Sequence, residues 1–346
     1  MAARSQHFQG LGRIDTHHHC FPQDVPELAP EFAAISQSPQ GLAAGLARME
    51  FPESLEDHIK YMDSVGIQTA VMTPSIKSEW SLSLAPEEYK DLCRRSLTAQ
   101  RQMVASNPLR FGAFALLPLP HIRETLDFLQ EIATDFPDGF GLTTSLGKKY
   151  FAESQFEPVW AALNEAKATI FLHPTDTVMP PNLQWGPFVM EYPFDTCRCL
   201  TTILISGILT RYPDIKFLFS HNGGAFPFLA GRIGKQHLDA TIAQNNNGRS
   251  LRDLLRTTNI FFDTAVSEDF QYPLVHDMGL PKDHIIYATD YPYTYRQDTK
   301  SYLDGYNAPK NSQCYTAAEL DHGIVRNNAL TYLFPRLAAE YVKLDD

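Results

Sequence analysis

With 346 residues, 44% of them hydrophobic and 20% charged, the chain is an ordinary soluble, globular sequence that can bury a large core. Its formal net charge of −11 excludes nucleic acid or an acidic membrane as the main partner, since neither would gain counterion release, and points to a small molecule bound where the local charge differs. The opening MAARSQHFQG has no hydrophobic stretch and no run of about 18 apolar residues follows, so neither a secretion signal nor a membrane span is expected and the cytoplasm is the expected compartment.

In chain order, "GRID" leads a first strand into His17, His18 and His19, and short apolar runs recur at 67–74, 111–119, 139–146, 168–174, 215–221, 259–264 and 284–290. Helical patterns fall between them, for instance 55–66, 123–136, 156–168 and 225–244. Eight buried-type strands alternating with helices imply a parallel sheet, and eight is the number that closes a (β/α)8 TIM-type barrel. No repeat, low-complexity tract or linker interrupts the chain, so residues 1–346 are expected to form one continuous domain. Two segments, 20 to about 54 and 174 to about 195, are too long for plain connections after strands one and five; at the carboxyl ends of barrel strands such loops build pockets. The five cysteines (Cys20, Cys93, Cys197, Cys199, Cys314) read as reduced thiols, and Cys197-x-Cys199 lacks the second pair that a zinc knuckle needs.

The run of three histidines is internal, so it is no purification tag. Side chains two apart on a strand share a face, so His17 and His19 point together into the barrel mouth while His18 points away and is structural. Asp15 shares their parity one step deeper, where a supporting hydrogen bond to them is expected. Strand five ends at His173, strand six at His221 and strand eight at Asp290. Any one of these could be a capped or satisfied core residue. Together, inward polar groups at one rim need partners to offset their desolvation, and one divalent cation held by His17, His19, His173 and Asp290 is the economical solution. The remaining histidines, His58 among them, read as surface or capping residues.

The motifs "DTHHHCFP", "FLHP", "SHNGGAFPFLAGRI" and "ATDYP", in this order over nearly the whole chain, resemble the amidohydrolase-related decarboxylases, such as aminocarboxymuconate-semialdehyde, γ-resorcylate and fungal 6-methylsalicylate decarboxylases. The resemblance implies an amidohydrolase-like barrel in which His17, His19, His173 and Asp290 bind one Zn2+ or Mn2+ and His221 is catalytic. It also implies that Arg232, eleven residues past His221, reaches the substrate carboxylate of a neighbouring subunit in a homodimer. Many hydrolytic relatives bridge two metals with a carboxylated lysine after strand four. Here threonines and a serine occupy that end and Lys148 and Lys149 lie beyond it, which implies a mononuclear site. Asn222 departs from the glycine that relatives commonly carry after the histidine.

An ortho hydroxyl makes decarboxylation of an aromatic acid feasible, because a phenolate can push electrons into the ring so that the carbon bearing the carboxylate takes a proton before CO2 leaves. A metal with open positions would chelate phenolate and carboxylate, Asp290 would carry the proton, and His221 would relay or orient it. Trp185, Phe188 and Tyr192 on the fifth loop would suit a planar ring or simply pack the loop. Arg48 could pair with a carboxylate or lie on the surface. The best single expectation is 6-methylsalicylate going to m-cresol and CO2 in fungal polyketide metabolism. The alternatives are a metal-dependent hydrolase, lactonase or hydratase, in which a metal-bound water attacks, and a noncatalytic metal-binding partner protein.

Overall fold

The computed structural model describes residues 12–20, 54–74, 83–146, 149–175, 187–266, 271–293 and 319–345, with Val25, Glu27 and Pro52. Eight parallel strands pair in chain order: β1 (Arg13–Cys20), β2 (Ile67–Pro74), β3 (Phe111–Leu116), β4 (Gly139–Thr143), β5 (Thr169–His173), β6 (Lys216–Phe219), β7 (Ile260–Asp263) and β8 (Ile285–Ile286). The β8 ladder is only two residues long, but the chain beyond it returns to β1. The Thr16 and His19 amides donate to the Tyr287 and Tyr291 carbonyls at 3.2 and 2.8 Å, and the Asp290 amide donates to the His17 carbonyl at 2.9 Å. These bonds nearly close the sheet into the expected barrel, with no long open edge between β1 and β8.

Alternation along the strands fills the interior. Ile14, Val71, Phe114, Phe171, Leu218, Phe261 and Ile286, one from each strand except β4, form a buried cluster inside the barrel. On β4 the corresponding place is Gly139, where a Cβ would lie 2.7 Å from the Phe114 ring, so the Phe114 side chain fills that sector for both strands. The amino-terminal end of the barrel is stopped by residues after 328: Ala329, Leu333, Phe334 and Leu337 join the interior cluster. Arg336 fixes this plug, pairing with both oxygens of Asp138 at 2.8 and 2.9 Å and donating to the Phe111 carbonyl at 3.0 Å.

The outer layer comprises α1 (Leu55–Val65), α2 (Pro86–Ser106), α3 (Ile122–Glu131), α4 (Glu157–Glu165), α5 (Glu191–Ser206), α6 (Phe226–Gly231), α7 (Asp239–Asn245), α8 (Leu251–Thr257) and α9 (Gln271–Met278), with α10 (Pro335–Asp345) at the plugged end. Local chemistry marks the ends: Ser54 Oγ accepts from the Asp57 amide at the start of α1, and Gly66, at φ 72°, ends it. Two expectations need correction. The helix expected over 225–244 is broken into α6, a π-helical turn at Arg232–His237, and α7, where two glycines in "AGRIG" weaken helical propensity. The fifth connection ends earlier than 195, since a turn at Pro187–Val189 leads directly into α5. Among the described residues no helix is long and apolar enough to cross a membrane.

Phe334 is fully buried against Phe114 at the barrel base, with ring centroids 5.7 Å apart. Phe334→Ala is expected to lower stability by about 3–5 kcal/mol in denaturant titration. A loss below about 1 kcal/mol would show that other contacts close the base.

Candidate metal centre

His17 and His19 project inward from β1, as their shared parity requires, and meet His173 from the end of β5 and Asp290 from the chain after β8. One ligand-type atom from each lies within 4.8 Å of all the others. Three of them, His17 Nε2, His19 Nε2 and Asp290 Oδ1, form a triangle with every edge 3.1 Å. Donors about 2.0–2.2 Å from one cation stand about 3 Å apart, so this triangle has the size of one face of a coordination polyhedron. The donor set of three imidazole nitrogens and one carboxylate oxygen suits zinc or manganese, and the four residues are all at least half-buried.

The electrostatics point the same way. Burial alone would depress His17, but the charges of Asp290 and Asp263 outweigh it and push its pKa up to about 10. Burial lowers His19 and, more strongly, His173, and the charge of His17 lowers both further. Burial would raise Asp290, yet the charge of His17 and hydrogen bonds from His17, His19 and His221 hold it well below the usual carboxylate range. The cluster therefore draws one positive charge to the point where the triangle's atoms meet. A divalent cation would supply it without a proton, and the donor set fits one.

Asp263, at the end of β7, carries much of the support, although the sequence reading gave it no role. Its Oδ2 accepts from His17 Nδ1 at 2.9 Å, and its Oδ1 accepts from the His221 and Ala265 amides at 2.8 and 3.0 Å. One fully buried carboxylate thus orients an imidazole of the cluster and anchors the turn that carries His221. That turn is tight: His221, Asn222, Gly223 and Gly224 all have positive φ, of 54°, 56°, 74° and 61°. A side chain at Gly224 would also strike the Pro193 carbonyl. His221 Nε2 then stands 3.4 Å from Asp290 Oδ2, the oxygen that does not face His17 and His19. Both amide atoms of buried Asn222 have no hydrogen-bond partner among the described residues.

Asp15 does not support His17 or His19 through their rings. Its Oδ2 accepts from His18 Nδ1 at 2.9 Å and from the Thr289 hydroxyl at 2.6 Å, while Oδ1 accepts from the Thr289 and His17 amides at 2.9 and 3.2 Å. A break in the β1–β2 register between Asp15 and His18 turns Asp15 to the side of His18. His18 Nε2 lies 2.9 Å from His58 Nδ1. Since the Asp15 carboxylate can only accept, the pair fits a chain in which His58 donates to His18 and His18 donates to Asp15. His58 is therefore not a surface or capping residue. It is buried, and burial followed by the charge of His18 holds its pKa well below the ordinary value. The signal was available, because His58 shares a helical face with the buried Tyr61 and Met62.

Two buried hydroxyls flank the cluster without a hydrogen-bond partner among the described residues. Thr73 is paired across the β1–β2 ladder with His19, and Ser220 follows the residue paired with Leu172, beside His173. Tyr192 is half-buried with its ring 6.4 Å from that of His173, and Phe188 is half-buried in the turn before α5. Arg48 and Trp185 lie outside the described residues. Arg232 is exposed on the outer layer and makes no hydrogen bond or ion pair among the described residues. At the end of β4, Ser145 and Tyr150 donate to buried Asp195 at 2.9 and 2.6 Å, joined by the Thr144 hydroxyl. Lys149 is exposed beside Glu153, 3.7 Å away, and Lys148 lies outside the described residues.

The amidohydrolase family model matches residues 14–334. The decarboxylase yanB of Aspergillus niger is 29% identical over 349 residues, covering 94% of this chain and 88% of its own. A 6-methylsalicylic acid decarboxylase of Penicillium expansum is 27% identical over 340 residues, covering 94% and 97%. Among solved structures, a dihydroxybenzoic acid decarboxylase from a Polaromonas species, holding manganese and the inhibitor 2-nitroresorcinol, aligns with a TM-score of 0.70 at 18% identity, over 93% of this chain and 96% of that one.

Elemental analysis of the purified protein is expected to give close to one divalent ion per chain. Asp263→Asn is expected to weaken retention of that ion about 10–100-fold in competition with a chelator. Unchanged retention would show that Asp263 serves the His221 turn alone.

Proposed function

The chain belongs to the amidohydrolase family, and we propose that it is a metal-dependent carboxy-lyase acting on an ortho-hydroxy aromatic acid, with 6-methylsalicylate going to m-cresol and CO2 as the best single substrate. The observation that carries this reading is the division of labour within Asp290: Oδ1 faces His17 and His19, and Oδ2 faces His221. One oxygen can serve the cation while the other handles a proton. His17, His19, His173 and Asp290 would hold one zinc or manganese ion.

When bound, the cation supplies a chelating point for the phenolate and one carboxylate oxygen and stabilises charge there. Asp290, ionised at rest, takes a proton on Oδ2 from His221 and passes it to the ring carbon that bears the carboxylate, while the phenolate oxygen pushes electrons into the ring. The bond to the carboxylate carbon then breaks, CO2 departs, and its bonding pair restores the aromatic ring. His221 orients Asp290 through Oδ2 and returns a proton to it. Tyr192 supports the ring from the first turn of α5, with Phe188 in the turn before it, and Trp185 and Arg48 are proposed as further substrate-binding residues. The end of β4 favours this reading over two-metal hydrolysis, since the hydroxyls of Thr144 and Ser145 are committed to Asp195 and Lys149 pairs with Glu153 at the surface.

In D2O the released arene should carry one solvent-derived deuterium at the former carboxylate carbon, read by mass spectrometry, and benzoates without the ortho hydroxyl should be inert. Equal turnover of a benzoate lacking that hydroxyl would overturn the mechanism. His221→Ala should cost on the order of 10² to 10⁴ in rate with the ion retained.

Assembly belongs to the same proposal. Arg232 is exposed on its own chain, and Phe228, one turn earlier, is 81% exposed, an arrangement that suits a second copy of the chain. In an isologous homodimer Arg232 would complete the opposite pocket and hold the substrate carboxylate. Arg232→Ala and His221→Ala chains, each nearly inactive alone, should regain part of the activity on mixing, because one pocket then has both residues intact. No recovery despite demonstrated subunit exchange would remove Arg232 from the partner's site.

A further inference from the structure

The imidazoles that the two inward histidines of β1 bring to the cluster are not equally supported. A histidine whose Nε2 holds a cation carries its ring proton on Nδ1, and that N–H is almost always given to an acceptor, which fixes the orientation of the ring. His17 follows the rule, since its Nδ1 lies 2.9 Å from Asp263 Oδ2. His19 brings its Nε2 into the same 3.1 Å triangle, yet its Nδ1 is buried with no hydrogen-bond partner among the described residues. A buried donor of this kind calls for an acceptor close by.

The neighbouring strand carries one. Beyond the break in register, His18 is paired with Met72 and His19 with Thr73. Val71 belongs to the barrel interior and Met72 to the larger core cluster outside it, so Thr73, two residues past Val71, faces inward beside His19. The Thr73 hydroxyl is likewise without a hydrogen-bond partner among the described residues, and the two residues are 1% and 2% exposed. Both unpaired atoms stay near the backbone: Nδ1 is bonded to the ring carbon that joins Cβ, and Oγ1 is bonded to Cβ itself. They therefore share one face of two strands about 4.8 Å apart. One is a donor in search of an acceptor, and the other, a hydroxyl, can accept.

We infer that Thr73 is a positioning residue for His19: its hydroxyl accepts from Nδ1–H, through one water or after a turn about χ1, and so keeps Nε2 aimed at the cation. The inference rests on the reading of His17, His19, His173 and Asp290 as the ligands of one metal ion, and it is independent of the reaction that the ion serves. It makes the two ligands of β1 unequal. His17 is backed by a carboxylate and His19 by a neutral hydroxyl, and a hydrogen bond to a charged acceptor is the stronger of the two. His19 is then the β1 ligand that loosens more easily.

The test loads the full-length protein with zinc and measures its retention against a chelator. Thr73→Val keeps the shape of the side chain and removes the hydroxyl, and it should weaken retention about 10-fold. Thr73→Ser keeps the hydroxyl and removes the methyl group, and it should stay within about twofold of the unaltered protein. In protein carrying 15N-labelled histidine, the Nδ1–H proton of His19 should move upfield in Thr73→Val alone, as a proton does on losing its acceptor. Loss of retention in Thr73→Ser with none in Thr73→Val would show that the methyl packing matters and would overturn the assignment, as would unchanged retention in both. Unchanged zinc retention with a raised KM in Thr73→Val would place the hydroxyl on the substrate and overturn it as well. Failure of the unaltered protein to hold zinc or manganese at all would overturn the metal centre itself.

Discussion

Everything at the carboxyl end of the barrel depends on keeping two carboxylates and three imidazoles together where water is nearly absent. Asp263 and His17 are fully buried and Asp290 almost so. Stripping such groups of water costs several kcal/mol each unless partners replace the lost hydrogen bonds. The cluster offsets part of this internally, through the 2.9 Å contact of His17 with Asp263 and the 3.1 Å triangle. The remainder is a demand for positive charge at one point. A cation there lets Asp290 stay ionised toward His17 and His19 while its other oxygen remains open to His221.

The scaffold meets that demand by tying strand ends to one another. Asp263 connects β7 to the ring of His17 on β1 and to the backbone entering His221 after β6. Asp15 connects β1 to Thr289, the residue before Asp290, so the two groups that meet in the triangle are held by neighbouring backbone. His221 and Asp290 both have left-handed backbone, at φ 54° and 62°. Such a conformation is uncommon for residues other than glycine and persists when surrounding bonds fix it, here the Asp263 carboxylate on the His221 amide and the His17 carbonyl on the Asp290 amide. The sharp turns bring His221 Nε2 and Asp290 Oδ2 face to face, which neither strand could do by running straight.

How much of this was legible in the sequence follows from which signals are local. The period of two put His17 and His19 on one face, and strand-end position brought His173 and Asp290 to them, because both rules need only a few neighbouring residues. Asp263 obeyed the same rule at the end of "IFFD" and was passed over, since an aspartate after aromatic residues is equally a strand terminus and only the long-range contact to His17 distinguishes the two. Asp15 supports His17 only through its backbone amide and gives its ring contact to His18, because a register break, invisible in the sequence, turns it that way. The break in the helix around Arg232 is legible only in part: its two glycines weaken a helix, but no local pattern marks the π-helical turn that follows them.

The network beneath β1 shows why a third histidine belongs in the run. His18 cannot face the site, yet it lies between two residues that do. Its ring is held on one side by Asp15 and on the other by His58 from α1, and Tyr291 stacks over Tyr61 with ring centroids 3.7 Å apart. Rotation of β1 about its axis would break both hydrogen bonds of His18 at once and leave polar atoms buried without partners, a cost of about 1–3 kcal/mol for each. The outward histidine therefore resists the one motion that would swing His17 and His19 out of the triangle. Outward residues usually pack α1 against β1 by apolar contact, which tolerates sliding. A hydrogen-bonded ring at this place does not, and the strand that supplies two members of the cluster is held in register from behind.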